Sequence, residues 1–335
     1  MSNEYRKWTA EAPSNIALIK YMGKIDGAGN LPTNTSLSYT LPHLKSIVQL
    51  EYADHFMADE WEPLTSFGEK RYPALELSEH GKDRFIAHLN RIKKFFDFEG
   101  SFRIRSANDF PSDCGLASSA SSFAALTKAA MISLSEITGK ETPNAEVAAE
   151  WSRKGSGSSC RSFFEPWSIW SPTRISDVPE LEGKGRLIHH VVIVNDKVKK
   201  VSSSEAHKRV TSSLLFAGRP ERADVRVFDF IKALQGDQWR DAFEIAWQEF
   251  WDMHALFETS QPPFGYMTSG TLEVLNYLRD VIWAKEDDGP IITMDAGPNI
   301  HLLYRDDHRG QKLANRVVKE FHPKYRILTS EGRRN

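Results

Sequence analysis

The sequence contains few cysteines and no long apolar segments. Its 335 residues include two cysteines, Cys114 and Cys160, which are too few for a disulfide framework and lack the spacing of a metal site. No apolar run approaches the length of a membrane span, and residues 1–15 lack the apolar core of a signal peptide. We therefore expect a soluble, cytoplasmic protein with no membrane partner.

The chain also lacks an excess of charge of one sign. Lysine and arginine total 43 against 45 for aspartate and glutamate, so the formal net charge is −2. This balance argues against nucleic acid or an anionic membrane as the main partner. The sequence has no internal repeat and no low-complexity linker, and its 40% hydrophobic and 26% charged residues are typical of a globular protein.

Length and pattern predict two domains, because 335 residues exceed the size of most single cores. Residues 1–110 are mainly strand-like, with one helix near 82–96. Two more helices follow, one closed by Gly139 and one that Thr142 is expected to cap. Beyond the expected boundary at 180–190, a buried strand, a long helical region and two strands joined by a Gly-Pro turn indicate a second unit. Strands with interposed helices in both halves favour an α/β or α+β protein.

One stretch, DCGLASSASSFAAL at 113–126, opens a helix with small hydroxyl residues. Helix N-termini bind anions through free N–H groups, and Gly115 permits close approach of a phosphate. Ser118, Ser119 and Ser121 offer hydroxyls to a phosphate or a metal ion. Tight packing of a helix end explains the same composition, and the Gly-Lys-Ser/Thr ending of a Walker motif is missing. Both interpretations stand on the sequence alone.

A second Gly/Ser loop, RKGSGSSCRS at 153–162, carries Ser156, Ser158 and Arg161, which together could hold another anion. A flexible exposed loop has the same composition. Lys20 and Lys24 lie four residues apart beside an apolar run. They either extend along the surface or point into a cleft, where they would neutralise an anionic substrate.

Two further residues are candidates for chemistry. Asp295 ends an apolar strand before a Gly-Pro turn, a position where aspartate often forms the turn itself. A carboxylate held at a strand end and facing a cleft could instead act as a base. His254 falls on the apolar face of a Trp- and Phe-rich helix, so we expect a core histidine there rather than a catalyst or metal ligand.

Taken together, seven stretches resemble the mevalonate diphosphate decarboxylases of the GHMP kinase superfamily, in the same order and over nearly the whole chain. They are APSNIALIKYMGK, NLPTNTSLSYTL, NDFPSDCGLASSASSFAAL, RKGSGSSCRS, VSSSEAHKRVTSS, HALFETSQPPFGY and MDAGPN. The resemblance implies an α+β GHMP kinase fold with an active site in the cleft between two domains. These would be a ribosomal-S5-like N-terminal domain at 1–186 and a ferredoxin-like C-terminal domain at 187–335.

The resemblance also implies a reaction. ATP, with Mg²⁺, would phosphorylate the tertiary 3-hydroxyl of mevalonate 5-diphosphate, and loss of phosphate and carbon dioxide would yield isopentenyl diphosphate. Asp295 matches the base or orienting group, Lys20 a lysine that neutralises the transferring phosphoryl group, and Ser204 a hydroxyl thought to matter for decarboxylation. Relatives are commonly homodimers, and we expect the same here.

Other family positions carry over residue by residue. The ATP loop matches Gly115, Leu116, Ala117, Ser118, Ser119, Ala120 and Ser121. Of these, Ser119 and Ser121 would lie near the metal ion. The substrate positions match Asn15, Tyr21, Lys24, Ser156, Gly157, Ser158 and Arg161.

Several residues depart from the family pattern. Met22 replaces a tryptophan, Ser122 replaces a glycine, and Glu165-Pro166 replaces a Gly-Gly pair. Ser204 replaces a threonine, and His207 replaces a methionine. Glu-Pro removes backbone freedom and adds a negative charge near a site meant for anions. This motivates an alternative function within the family, a mevalonate 5-phosphate decarboxylase or a mevalonate 3-kinase. A catalytically silent binding protein is a third hypothesis, which the intact Lys20, Asp295 and Arg161 argue against.

Overall fold

The N-terminal part of the chain is built on a six-stranded sheet. The structure is a computed structural model, and it describes residues 5–25, 27, 29–110, 118–196 and 200–330. The sheet strands are β1 (Arg6–Ile19), β2 (Ser36–Tyr52), β3 (Glu60–Pro63), β6 (Phe102–Asn108), β7 (Trp167–Trp170) and β8 (Ile175–Asp177). Two short strands, β4 (Ser66–Phe67) and β5 (Lys70–Arg71), form a separate hairpin. The long β2 pairs antiparallel with β1, and with β6 and β7 in succession. Strand β1 therefore pairs with one edge of β2, while β6 and β7 pair with the other edge.

The helices of this part confirm the expected pattern with one correction. They are α1 (Glu79–Phe95), α2 (Ser118–Thr138) and α3 (Ala145–Gly155), followed by a 3₁₀ segment at Gly157–Phe163. Helix α2 stops before Gly139, whose φ of 71° is left-handed and suits glycine. The prediction that Thr142 caps α3 is wrong. Asn144 is the residue immediately before the helix, and its side chain accepts a hydrogen bond from the Val147 N–H.

The C-terminal part contains a four-stranded antiparallel sheet in the order β10-β11-β9-β12. Its strands are β9 (Leu187–Ile193), β10 (Ile291–Thr293), β11 (Ile300–Arg305) and β12 (Arg326–Thr329). Its helices are α4 (Ser203–Arg209), α5 (Arg219–Gln235), α6 (Trp239–Thr259), α7 (Ser269–Tyr277), α8 (Ala284–Glu286) and α9 (His308–Phe321). A π-helical turn at Leu278–Trp283 joins α7 to α8. The strands, long helix and final helix expected here are confirmed, whereas β12 was not foreseen.

Two buried clusters place the functional residues. One packs α1 and α2 against the six-stranded sheet and contains Phe85, Phe102 and Leu126. The larger one joins the two sheets, since it contains Ile16 of β1 together with Val191 of β9 and other residues of both sheets. Burial of this apolar surface is the main force that holds the two parts together. Strand β1 thus ends at the junction, immediately before Lys20.

Within the described residues, no helix is both long enough and apolar enough to cross a bilayer. The cytoplasmic location expected from the sequence stays a prediction. The division at 186/187 also stays a prediction, although the six-stranded sheet uses strands up to Asp177 and the four-stranded sheet begins at Leu187.

Candidate active site

A cleft of about 530 Å³ opens where the end of β1, the loop after α3, the start of α4 and the loop after β10 meet. Its lining is strongly basic. Among the described residues, the cationic side chains that line it are Lys20, Lys24, Arg84, Arg91, Lys154 and Arg161, and the carboxylate is Asp295. A cleft walled by charge of one sign concentrates ligands of the opposite sign. This cleft is therefore suited to a polyanionic ligand.

At its floor, Lys20 and Asp295 form an ion pair. The Nζ atom of Lys20 donates to Oδ1 of Asp295 at 2.9 Å. The lysine side chain is 2% exposed and the aspartate side chain 28% exposed, so the amine is enclosed while the carboxylate reaches the cleft. In the part of the chain that the structure describes, no second side chain donates to the carboxylate. One of its oxygens is therefore available to a ligand.

The surroundings keep this carboxylate ionised. Burial by itself would raise the pKa of Asp295, but the charge and hydrogen bond of Lys20, aided by the charges of His301 and Arg161, hold that pKa below its ordinary value of 3.8. Burial lowers the pKa of Lys20, and Asp295 opposes that effect. An ionised aspartate beside a bound hydroxyl can orient it and accept its proton.

Two buried groups that sequence reasoning missed hold Lys20 in place. Its backbone N–H donates to Oε1 of Glu249 at 2.9 Å, and its carbonyl accepts from Asn34 at 2.9 Å. Glu249 on α6 is paired with Arg219 on α5, and both side chains are fully buried. A glutamate among the tryptophans and phenylalanines of α6 was the available sequence signal, because such a residue is rarely buried without a partner.

The expectation that His254 is a core histidine is confirmed. The residue is buried, and its Nε2 lies 3.2 Å from the backbone carbonyl oxygen of Asp295. A second backbone contact closes the same turn, since Gly297 N–H donates to that carbonyl at 2.7 Å. Both contacts fix the main chain that presents the carboxylate.

The loop after α3 brings Arg161 to the cleft. Its guanidinium donates to Oδ1 of Asn15 at 3.1 Å and to Oγ of Ser36 at 3.3 Å. Asn15 is buried behind the loop, and its amide also donates to the Ser158 carbonyl at 3.2 Å. The structure therefore brings Ser156, Gly157, Ser158 and Arg161 into the cleft wall and places Asn15 behind them as a support.

Tyr21 and Lys24, which the family resemblance places among the substrate residues, also line the cleft. The Lys24 Nζ donates to Oδ1 of Asn30 at 2.8 Å, and the Tyr21 hydroxyl donates to the Asn30 carbonyl at 3.3 Å. Burial, with the charges of Arg84 and Lys208, lowers the pKa of Lys24. A Cβ at Gly157 would lie 2.9 Å from the Tyr21 hydroxyl, so glycine is required for this close approach.

The N-terminal turn of α2 contributes one residue to the cleft. Ser119 lines it, with its hydroxyl 3.4 Å from that of Ser156. The structure does not bring Ser121 there, because its fully buried hydroxyl bonds to that of Ser46 at 2.7 Å. Ser118 is half-buried and Ala120 buried. The expected phosphate-binding residues Gly115, Leu116 and Ala117 lie outside the described residues.

The residues that depart from the family pattern occupy different places. Glu165 is exposed and does not line the cleft, while the neighbouring Pro166 lines a separate surface pocket. This removes the reason to expect an acidic pocket. Ser204 does line the cleft, as expected. Met22 lines it too and is otherwise buried in a cluster with Met253.

Three cations of the cleft were not singled out from the sequence. Arg84 and Arg91 lie seven residues apart on α1, and Lys154 stands at the end of α3. Arg84 donates to the Gly155 carbonyl at 3.0 Å and Arg91 to the Lys154 carbonyl at 3.4 Å. Their spacing on one helical face was visible, but such a stripe is usually solvent-exposed.

The described side chains alone do not form a metal cage. Within the ranges that the structure describes, no group of three or more histidine, cysteine, aspartate or glutamate side chains could hold a metal ion. Mg²⁺ commonly binds through substrate phosphates with few protein ligands. The cleft fits a magnesium ion that arrives with a phosphate ligand.

Comparison with known proteins identifies the family. Residues 12–177 match the model of the diphosphomevalonate decarboxylase-like N-terminal domain, and residues 189–333 match that of the mevalonate 5-diphosphate decarboxylase C-terminal domain. The chain is 31% identical to the diphosphomevalonate decarboxylase of Ganoderma lucidum, over 93% of this chain and 82% of that one.

Solved structures agree. The crystal structure of a mevalonate diphosphate decarboxylase from Legionella pneumophila is 45% identical, with a TM-score of 0.88 over 96% of this chain and all of that one. A structure described as MDDEF in complex with MVAPP, AMPPCP and magnesium is 26% identical, with a TM-score of 0.85 over 97% of this chain and 96% of that one. The expected two-domain α+β GHMP kinase fold is confirmed, and the chain belongs to the mevalonate diphosphate decarboxylase family.

Proposed function

We propose that the protein catalyses the ATP-dependent decarboxylation of mevalonate 5-diphosphate, giving isopentenyl diphosphate, ADP, phosphate and carbon dioxide. The observation that carries this proposal is the Lys20–Asp295 pair at the floor of a basic cleft. Relatives named diphosphomevalonate decarboxylases support it, as does a relative solved with MVAPP, AMPPCP and magnesium.

The first stage needs a positioned hydroxyl and neutralised phosphoryl charge. We assign Asp295 to orient the 3-hydroxyl of the substrate and to accept its proton, and Lys20 to offset negative charge on the phosphoryl group being transferred. Because the pKa of Asp295 is low, the carboxylate passes that proton on to an oxygen of the transferred phosphoryl group. The restored negative charge then stabilises the positive charge that develops at carbon 3 as phosphate and carbon dioxide leave.

The remaining cleft residues bind the substrate in this proposal. Tyr21, Lys24, Ser156, Gly157, Ser158 and Arg161 line it and would grip the diphosphate and the carboxylate. Arg84 and Arg91 add two charges that a diphosphate would use more fully than a monophosphate. Ser204 supplies the hydroxyl for the decarboxylation stage. Asn15 acts through Arg161 and the Ser158 carbonyl rather than by contact.

ATP and Mg²⁺ complete the proposal. Residues 115–121 are proposed to hold the ATP phosphates, since Ser119 lines the cleft next to Ser156, at the N-terminal turn of a 21-residue helix. We propose the Ser119 hydroxyl as a protein oxygen for the metal ion. The burial of Ser121 argues against its expected share in that site.

A coupled assay tests the function directly. Purified protein with ATP, Mg²⁺ and mevalonate 5-diphosphate should release ADP and carbon dioxide in equal amounts. With the 5-phosphate, kcat/KM should fall about 10- to 100-fold, because one or more charge-assisted contacts of roughly 1.5–3 kcal/mol are lost. Release of ADP without carbon dioxide would indicate the 3-kinase, and preference for the monophosphate would indicate the alternative decarboxylase.

The structure gives no reason to prefer the alternative functions within the family or a silent binding protein. Glu165 lies outside the cleft wall, so it does not disfavour the second phosphate. A silent binding protein would have little use for an enclosed lysine paired with a partly exposed aspartate.

We also propose that the protein is a homodimer formed through the outer face of α5. Val225 and Phe228 are 61% and 68% exposed at the centre of that face, and Glu221 and Lys232 lie four residues before and after them. In antiparallel packing against a second copy, each Val225 meets the partner's Phe228 and each Glu221 meets the partner's Lys232. The order of these side chains is thus complementary to itself, as a twofold interface requires.

Phe228→Asp should convert the dimer to a monomer, because it places a charge in the apolar centre of this surface. Sedimentation velocity should give twice the 38.1 kDa chain mass for the wild type and the single chain mass for the variant. Ile132→Asp changes an exposed apolar residue of α2 and should stay dimeric. A monomeric wild type, or a dimeric Phe228→Asp protein, would refute the interface.

A further inference from the structure

His207 on α4 lies in the cleft wall, and the proposed mechanism does not use it. The ring is 9% exposed. Its Nδ1 accepts a hydrogen bond from the Gly23 backbone N–H at 3.1 Å. A nitrogen that accepts carries no proton, so the proton of the neutral ring is on Nε2.

The ring is fixed by the segment that binds substrate. Its centroid lies 4.2 Å from that of the Tyr21 ring, at an interplanar angle of 40°. Gly23, which donates to the ring, lies between Tyr21 and Lys24 and has a φ of 96°, so this backbone donor depends on glycine. The imidazole therefore has one orientation relative to the cleft.

The Nε2–H group is available to a ligand. Over the described ranges, no protein group accepts a hydrogen bond from it, and the atom is not sealed in the interior. A polar hydrogen without an acceptor is costly unless water or a ligand satisfies it. The ring thus supplies a directed donor at the cleft surface.

The ring is also uncharged at neutral pH. Burial, followed by the charges of Lys24 and Arg161, lowers the pKa of His207 to about 3. The cleft already holds several cations, and a further charge there would be unfavourable. A neutral N–H adds a hydrogen bond to an anion without adding repulsion between protein groups.

We infer that His207 donates its Nε2–H to a phosphate oxygen of the substrate diphosphate, beside Lys24. The residue thereby contributes to selectivity for a substrate that carries this phosphate group. The family methionine expected at this position has no donor to offer. The inference rests on the proposed function only in taking the ligand to be a phosphorylated mevalonate.

Two variants separate the nitrogens of the ring. His207→Asn places an amide oxygen near the position of Nδ1 and leaves nothing at Nε2, so it keeps the Gly23 contact and loses the donor. His207→Gln places an amide nitrogen near Nε2, so it keeps the donor and loses the contact. His207→Asn should raise KM for mevalonate 5-diphosphate about 10-fold, the value of one charge-assisted hydrogen bond, with little change in kcat. His207→Gln should stay within about threefold of wild type.

Binding of inorganic pyrophosphate, measured by isothermal titration, is independent of turnover. Its Kd should rise about 10-fold in His207→Asn and change little in His207→Gln. If the three proteins bind pyrophosphate with these relative Kd values but the wild type shows no decarboxylation, the proposed function is wrong and the inference about His207 stands. Equal losses in both variants, no loss in His207→Asn, or no pyrophosphate binding by the wild type would overturn it.

Discussion

Asp295→Asn lowers the rate of ADP release with mevalonate 5-diphosphate about 10³-fold, the middle of the range for loss of a general base. Asparagine has the same shape and still accepts the hydrogen bond from Lys20, so substrate binding changes little. It cannot take the proton of the 3-hydroxyl. Steady-state kinetics should therefore show a fall in kcat with KM nearly unchanged.

Asp306→Asn is the matched control, because Asp306 is an exposed aspartate outside this cleft. Its activity should equal that of the wild type. In the wild type, the base form of Asp295 is present above its depressed pKa and is lost only as pH falls through that value. The acid limb of kcat/KM therefore should not come from Asp295 near neutral pH. Full activity in Asp295→Asn would place the chemistry elsewhere.

Glu249→Gln lowers the free energy of unfolding by about 3 kcal/mol or more, since removing one partner of a buried ion pair leaves the other charge uncompensated. Glu249 pairs with Arg219 and, at 2.8 Å, with Arg226, and it accepts the Lys20 N–H. Urea denaturation should show the midpoint shifted to lower concentration. Because the Lys20 backbone loses a charged acceptor, kcat should fall as well under conditions where the variant is folded.

A control for Glu249→Gln lies on the same helix, α6. Glu244 is exposed, and its carboxylate lies 3.8 Å from Arg240. Surface pairs of this kind contribute about 0–1 kcal/mol, so Glu244→Gln should leave the midpoint almost unchanged. Equal shifts in the two variants would mean that the buried pair contributes no more than a surface one.

Local patterns in the sequence predicted many of the elements and many of the residues that line the cleft. Helix α1 follows from the spacing of its apolar residues, and the end of α2 follows from the glycine at position 139. The family stretches supplied the candidate residues, and the structure brings Lys20, Arg161 and Asp295 to one cleft. The motifs could be matched because each is a continuous stretch of between 6 and 19 residues.

Other features depend on contacts that no local pattern contains. Ser119 and Ser121 have the same chemistry, but two residues of α2 differ by about 200° around the helix axis, so one faces the cleft and the other the interior. The Arg219–Glu249 pair joins two helices whose packing decides which charges are buried. Arg84 and Arg91 belong to the site only because of how α1 packs beside α3.

The place of Lys20 at the end of β1 also has a consequence for how the molecule folds. Its partner Asp295 lies 275 residues further along the chain. Contacts between residues so distant in sequence form after local ones, because a long loop must close first. A nascent chain that has completed only the six-stranded sheet holds the lysine but no aspartate. We therefore expect the Lys20–Asp295 pair of the candidate active site to form late in folding, when the second sheet docks onto the first.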